Sequence, residues 1–403
     1  MNDVVNLGSP PTGPLSGVRV VDFTTVYSGP ITTQTLADQG ADVIKVEAVA
    51  GDLIRRGRPA RNMVGAAFAV INRNKRGIVV DPRSEAGLEV VTRLIKSGDV
   101  LVENFRPDVM TRLKLSYEDV KALNPRIIYA SINGVGATGP YANRRVYDAV
   151  IQAISGMASI QADPSEGAPR MLNTLACDKV TSLTAAQSIA AALYAREQTG
   201  QGQRIEVSML DASISFLWPD AMASFSFVGE DVQDAPPLDH SIFVRQTADG
   251  YIATMPVKAA EWEGAFRALD MPNLLEDERF DSLTKRFENQ PEWQRLVNEG
   301  YRRFNTEELC ERLEREDVPY SKINSRAQVI DDPQIVAMQA LVEYNHPDGG
   351  TLRQPRPAAR FHGTPSNIVR PSPGLGEHTA EVMNELGFTA QEVERLRARG
   401  VIA

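Results

Sequence analysis

Cysteine and histidine are scarce in this chain: two cysteines, Cys177 and Cys310, and four histidines, His240, His346, His362 and His378, in 403 residues. Two thiols cannot build a disulfide framework or a four-thiolate zinc site. No histidine pair has the spacing of helical metal ligands such as HExxH, so no metal site is expected. No apolar run approaches the ~18–20 residues that span a bilayer, which argues against a membrane partner. The opening residues, MNDVVNLGSPPTGP, lack the basic and apolar regions of a signal peptide. A cytoplasmic protein with reduced thiols is the expectation. Positive charge is also in deficit, with 43 Lys+Arg against 52 Asp+Glu and a net charge of −9, which argues against a general nucleic-acid binder. Any catalysis must therefore rest on carboxylates, main-chain donors and local cations.

What is present is ordinary globular composition, 42% apolar and 24% charged, which excludes wholesale disorder. The length exceeds the ~250–300 residues at which single cores stop growing, so two domains are expected. Strand-like runs at Val18–Phe23, Ala41–Glu47, the segment RGIVVD, Asp99–Asn104 and Arg126–Ile132 alternate with helix-like stretches such as EAGLEVVTRLIKSG and SYEDVKALN. That rhythm predicts an α/β fold with a parallel sheet covered on both faces. A helix rich in alanine is predicted over Lys179–Glu197, followed by a turn and the strand RIEVSML. The composition then changes. VRQTADGYIATMPV reads as a hairpin, and charged amphipathic helices follow around Ala259–Leu269, Pro291–Phe304 and Thr306–Glu316, giving a second domain over roughly 235–330. Pro355–Pro373 reads as an extended connector, and a helix pair ends the chain.

Three patterns bear on chemistry. Gly134-Val135-Gly136-Ala137-Thr138-Gly139 spells GxGxxG, but no amphipathic helix follows it and it is not the first βα turn, so nicotinamide binding is not expected. Between Gly51 and Val80 stand Arg55, Arg56, Arg58, Arg61, Arg73, Lys75 and Arg76 against Asp52 alone. This local excess of six positive charges suits phosphate, or else is a solvated face paired to acidic neighbours. Phe105 beside Arg106, directly after a strand, offers a flat apolar surface with a cation. Asp178 opens the alanine-rich helix. Its bland reading is an N-cap; its sharper reading is a carboxylate held rigid by the helix dipole and able to act as a covalent nucleophile.

In order and spacing these segments resemble the class III coenzyme A transferases, the family that also contains α-methylacyl-CoA racemases. The resemblance runs through PLSGVRVVDFTTVYSGP, LADQGADVIKVE, NRNKRGIVVD, VENFRPDVMTRL, NPRIIYASINGVGATGPYANRRVYDAVIQAISGM, the Asp178 segment, TGQGQRIEVSMLDA and PSPGLGEHTAEVMNELGF, nearly the whole chain. It implies a Rossmann-like large domain formed by both chain ends, with residues 1–228 and 336–403 flanking a small inserted α+β domain with linker at 229–335, and an interlocked homodimer.

The resemblance also implies a role for each site residue. Asp178 matches the catalytic aspartate, and CoA contacts match Val26, Tyr27, Lys75, Arg76, Asn104, Phe105, Arg106, Arg112 and Arg145. Acyl-CoA and a carboxylic acid are the implied substrates, with no permanently bound cofactor. Main-chain N–H groups near Asp178 or Tyr27 are the implied oxyanion donors. In the racemase branch a histidine stands where this chain has Tyr147, and a phenol of pKa near ~10 is a poor proton shuttle at neutral pH. CoA transfer therefore leads, over racemisation, over intramolecular CoA movement within one diacid, and over a non-catalytic acyl-CoA-binding module. The formyl-CoA:oxalate type carries a glycine run where this chain has Leu238–Val244, which points away from oxalate. Tyr147 faces the acyl group in this reading. Arg55, Arg58 or Arg145 would hold the second carboxylate of a short dicarboxylate.

Overall fold

The computed structural model describes residues 5, 7–162, 167–229 and 243–403. The chain divides into two compact units, one formed by Met1–Asp234 with Ala337–Ala403 and the other by Ala235–Val336.

The first unit is built on six parallel strands: β1 (Arg19–Asp22), β2 (Asp42–Glu47), β3 (Lys75–Val79), β4 (Val100–Glu103), β5 (Ile128–Asn133) and β6 (Gln203–Ser208). Their order across the sheet is β3-β2-β1-β4-β5-β6. Because side chains alternate along a strand, neighbouring apolar residues serve opposite faces. Val21, Ile44 and Leu101 pack into one core with helix α2 (Glu85–Lys96) and the terminal helices α10 (Thr379–Glu385) and α11 (Ala390–Ala398). Val20, Val43 and Val100 pack into the other, with α1 (Ser28–Asp38) and α5 (Ala176–Thr199).

Helix α2 shows why the local sequence folds as it does. Ser84 caps it by accepting the Gly87 N–H at 3.0 Å, and Val90, Val91, Leu94 and Ile95 bury the face turned to the sheet. Each such side chain contributes about 1.5–3 kcal/mol of burial. On α5 the sheet-facing side includes Ala185, Ala186 and Ala192, which let the helix backbone approach closely.

The chain end belongs to this unit. The His378 N–H donates to the Gly77 carbonyl at 2.9 Å, and the Asp81 N–H donates to the Val401 carbonyl at 2.9 Å. Before it lies a hairpin of β10 (Leu341–His346) and β11 (Gly350–Pro355), just ahead of the connector read from Pro355, where the sequence reading named no element.

The second unit has the predicted hairpin, β7 (Val244–Gln246) and β8 (Tyr251–Thr254), joined by a third strand β9 (Tyr320–Lys322). Helices α7 (Ala259–Ala268), α8 (Gln290–Arg302) and α9 (Thr306–Arg315) share a small core around Phe266, Phe280, Trp293, Val297 and Leu309.

Candidate active site

The strand order reverses between β1 and β4, and the chains leaving these two strands are where open parallel sheets bind ligands. The two exits are locked together. The Thr25 N–H donates to Asn104 Oδ1 at 2.9 Å, and Asn104 Nδ2 donates to the Thr25 carbonyl at 2.8 Å.

The β1 exit carries strain. Val26 has φ 69°, a left-handed conformation that a β-branched side chain disfavours. Two buried ion pairs over-determine it. Lys45 donates to the Thr24 carbonyl (2.8 Å) and to Asp52 Oδ2 (3.0 Å), while Asp52 Oδ1 accepts the Val26 N–H at 3.3 Å. Asp22 accepts the Thr24 N–H and hydroxyl and the Thr33 hydroxyl, and pairs with Lys75 at 3.0 Å. All four charged side chains are fully buried.

This turn delivers Ser28, the first residue of α1, to Asp178. The two helices are tied by Ser182, whose hydroxyl lies 2.7 Å from the Ser28 carbonyl and 2.6 Å from that of Asp178. Asp178 is not the N-cap of α5. Leu175 holds that position, and Asp178 sits in the first turn with its own N–H donating to Asp148 Oδ2 at 3.0 Å. Asp148 begins α4 (Asp148–Ile154), which Tyr147 precedes as the N-cap. Its other oxygen accepts from Gln152 at 2.6 Å. Burial, with the negative charge of Asp148 beside it, pushes the Asp178 carboxyl up to about 6, against hydrogen bonds from the Ser28 side chain and N–H. The neighbouring Cys177 thiol is pushed up to about 11 by burial, so it is no thiolate nucleophile at neutral pH.

A cleft of about 360 Å³ opens above Asp178, and Val26, Tyr27, Asn104, Phe105, Arg106, Arg145 and Tyr147 line it with the aspartate. Sequence reasoning had not singled out Ser28, Val135, Arg144 and Met209, which also line it. The glycine loop forms one wall. A side chain at Gly134 would meet Val146 Cγ2 at 2.0 Å, so glycine lets the two lining segments close on each other. Arg106, Arg144 and Arg145 are exposed and make no ion pair among the described residues; Arg144 stacks on Tyr141 at 3.7 Å. No described histidine lines the cleft. A second cavity of about 220 Å³ shares Phe105, Arg106 and Asn133 with it.

Five predicted contacts lie elsewhere. Lys75 is fully enclosed, its ammonium within hydrogen-bond distance of Asp22, Pro30, Thr33 and Asn72, so it supports the turn instead of a phosphate. Arg76 is saturated by Asp42, Glu381 and Glu385. Arg55 pairs with Glu47 at 2.5 Å and stacks on Phe68 in a separate cavity. Arg58 and Arg112 are exposed and outside the cleft lining. The Leu238–Ile242 segment of the oxalate argument falls outside the described residues.

CoA-transferase family III matches residues 15–379. Succinate–glutarate CoA-transferase of Agrobacterium fabrum is 34% identical, over 93% of this chain and 96% of that protein. Formyl-CoA:oxalate CoA-transferase of Streptomyces coelicolor is 33% identical, over 96% of this chain and 99% of that protein. Among solved structures, a CAIB/BAIF family protein from Brucella suis is 32% identical with a TM-score of 0.81, covering 93% of this chain and 100% of that one.

Proposed function

The chain belongs to CoA-transferase family III, and on that premise we propose that Asp178 carries CoA between an acyl-CoA donor and a dicarboxylic acid. The observation that carries this reading is a largely buried carboxylate in a cleft that is also lined by arginines with no ion pair among the described residues.

The chemistry follows from that placement. With its carboxyl at about 6, Asp178 is mostly ionised at neutral pH and only weakly solvated, which favours nucleophilic attack. A carboxylate oxygen attacks the donor acyl carbon. The C–S bond breaks and the CoA thiolate leaves with the electron pair, giving an aspartyl–acyl anhydride. The thiolate attacks the aspartyl carbonyl, which expels the donor carboxylate and forms an aspartyl-CoA thioester. The acceptor carboxylate then attacks the aspartyl carbonyl, expelling thiolate. Thiolate attack on the acceptor acyl carbon frees acceptor-CoA and Asp178. No net proton moves and no ATP is needed, because the activated acyl bond is conserved at each step. The Ser28 N–H is a fixed donor close to the developing oxyanion, whereas the Thr25 and Val26 N–H groups are already engaged.

The unpaired Arg106, Arg144 and Arg145 suit CoA phosphates and the far carboxylate of a diacid, with Phe105 beside the adenine. Relatives named for succinate, glutarate and oxalate support a dicarboxylate acceptor. The family resemblance and the alanine-rich α5 support an interlocked homodimer, with Ala235–Val336 as an inserted domain. That no described histidine lines the cleft disfavours the racemase reading.

The test is an acceptor screen by mass spectrometry. Enzyme is mixed with succinyl-CoA and a panel of mono- and dicarboxylic acids, and new CoA esters that disappear in Asp178→Ala are the expected result. Deuterium exchange at the α-carbon of a 2-methylacyl-CoA, without CoA transfer to any acid, would overturn it.

A further inference from the structure

The second unit contains a buried cation with no counter-ion among the described residues. Strand β7 turns Arg245 inward opposite Ile252, and only 6% of the residue is exposed. Its Nη1 donates to two neutral amides on α8, Gln294 at 2.7 Å and Asn298 at 2.8 Å. Its Nε is buried with no acceptor, and no described carboxylate pairs with the guanidinium. Leaving a guanidinium in that condition is costly, and proteins relieve it by setting a carboxylate within hydrogen-bond reach.

There is room for one. A cavity of about 190 Å³ lies against Arg245, with Trp262, Trp293, Pro256 and Val297 among its walls. The two indoles are tilted at 55° with centroids 5.7 Å apart, so they present flat apolar surfaces. Arg286 stands 5.2 Å from the Trp293 ring and adds positive potential. The space is below the ~300–1,000 Å³ of drug-sized pockets and suits a one-ring acid.

We propose that this unit carries a second binding site, for a small carboxylate with a flat apolar body, held by the Arg245 guanidinium where it lines the cavity. Asp178 lies in the other unit.

The experiment exploits the indoles. The chain has three tryptophans, so Trp218→Phe leaves Trp262 and Trp293 as the only reporters. The full-length Trp218→Phe protein is titrated with sodium benzoate, and with benzamide as the uncharged probe. Saturable quenching by benzoate is expected, at least tenfold weaker for benzamide and unchanged by Asp178→Ala. Arg245→Gln should weaken benzoate at least tenfold. Gln290→Phe, which narrows the mouth and leaves Arg245 intact, should do the same and decides the matter if Arg245→Gln does not fold. Absence of saturable quenching, equal affinity for benzamide, or full affinity in both variants overturns the proposal.

Discussion

The main-chain N–H of Asp178 donates to Asp148 at 3.0 Å, so the second acid is held against the first by the backbone of the helix that presents it. Asp148 is 2% exposed, and its negative charge helps to raise the Asp178 carboxyl. Asp148→Asn keeps an acceptor for that N–H but removes the charge. The acidic limb of kcat/KM, which reports groups of the free enzyme, should move to lower pH from about 6. An unmoved limb, with the variant still folded, would show that the coupling is absent.

Raising a carboxyl has a stability consequence of definite sign. The folded protein binds the Asp178 proton more tightly than the unfolded chain, so stability falls as pH rises between 3.8 and about 6. Above that window the cost is fully present and on the order of 3 kcal/mol. Asp178→Asn should therefore be inactive in transfer yet more resistant to urea near pH 7.5, with the gain vanishing below about pH 4. Urea midpoints at both pH values check it; equal midpoints at the higher pH would mean that the carboxylate is not strained by burial.

Lys75 shows where sequence reading reached its limit. A lysine and an arginine before a strand look like phosphate ligands, because the acids that neutralise them are remote in sequence. Asp22 lies 53 residues from Lys75, and Glu381 and Glu385 lie 305 and 309 residues from Arg76. The strand alternation and both loops of the cleft were legible, since they depend on local pattern and on the resemblance. Asp148 was missed because it meets Asp178 across 30 residues of sequence, through the backbone N–H of Asp178 and through its charge. The hairpin at 341–355 did leave a signal, the turn residues Pro347-Asp348-Gly349 between alternating runs.

Removing Lys75 should accordingly be a stability defect. Lys75→Met leaves Asp22 buried and unpaired, at a cost of about 3–5 kcal/mol. Adding Asp22→Asn should recover part of that loss. Chemical denaturation of the two single variants and the double variant measures the coupling. A Lys75→Met enzyme of normal stability with a large rise in KM for the CoA ester would restore the phosphate reading.

Asn104 joins the two strand exits by a pair of hydrogen bonds to Thr25. Asn104→Ala orphans both backbone groups, and a loss of about 1–3 kcal/mol is expected. Because the turn also aims Ser28 at Asp178, kcat should fall together with a rise in KM. A change in KM alone would confine Asn104 to CoA binding.

The rim arginines separate binding from chemistry. Arg106, Arg144 and Arg145 are exposed and make no ion pair among the described residues, so their attraction for a polyanion is screened by salt. In the wild type, KM for the CoA ester should rise between about 50 and 300 mM salt, a range that brackets the ~10 Å Debye length reached at 0.1 M. Arg106→Ala and Arg145→Ala should each raise KM at low salt, flatten its salt dependence and leave kcat within about twofold, the signature of uniform binding. If Arg145→Ala instead lowers kcat for dicarboxylate acceptors while sparing monocarboxylates, that arginine orients the far carboxylate during acyl transfer. Running the two acceptor classes side by side distinguishes these roles.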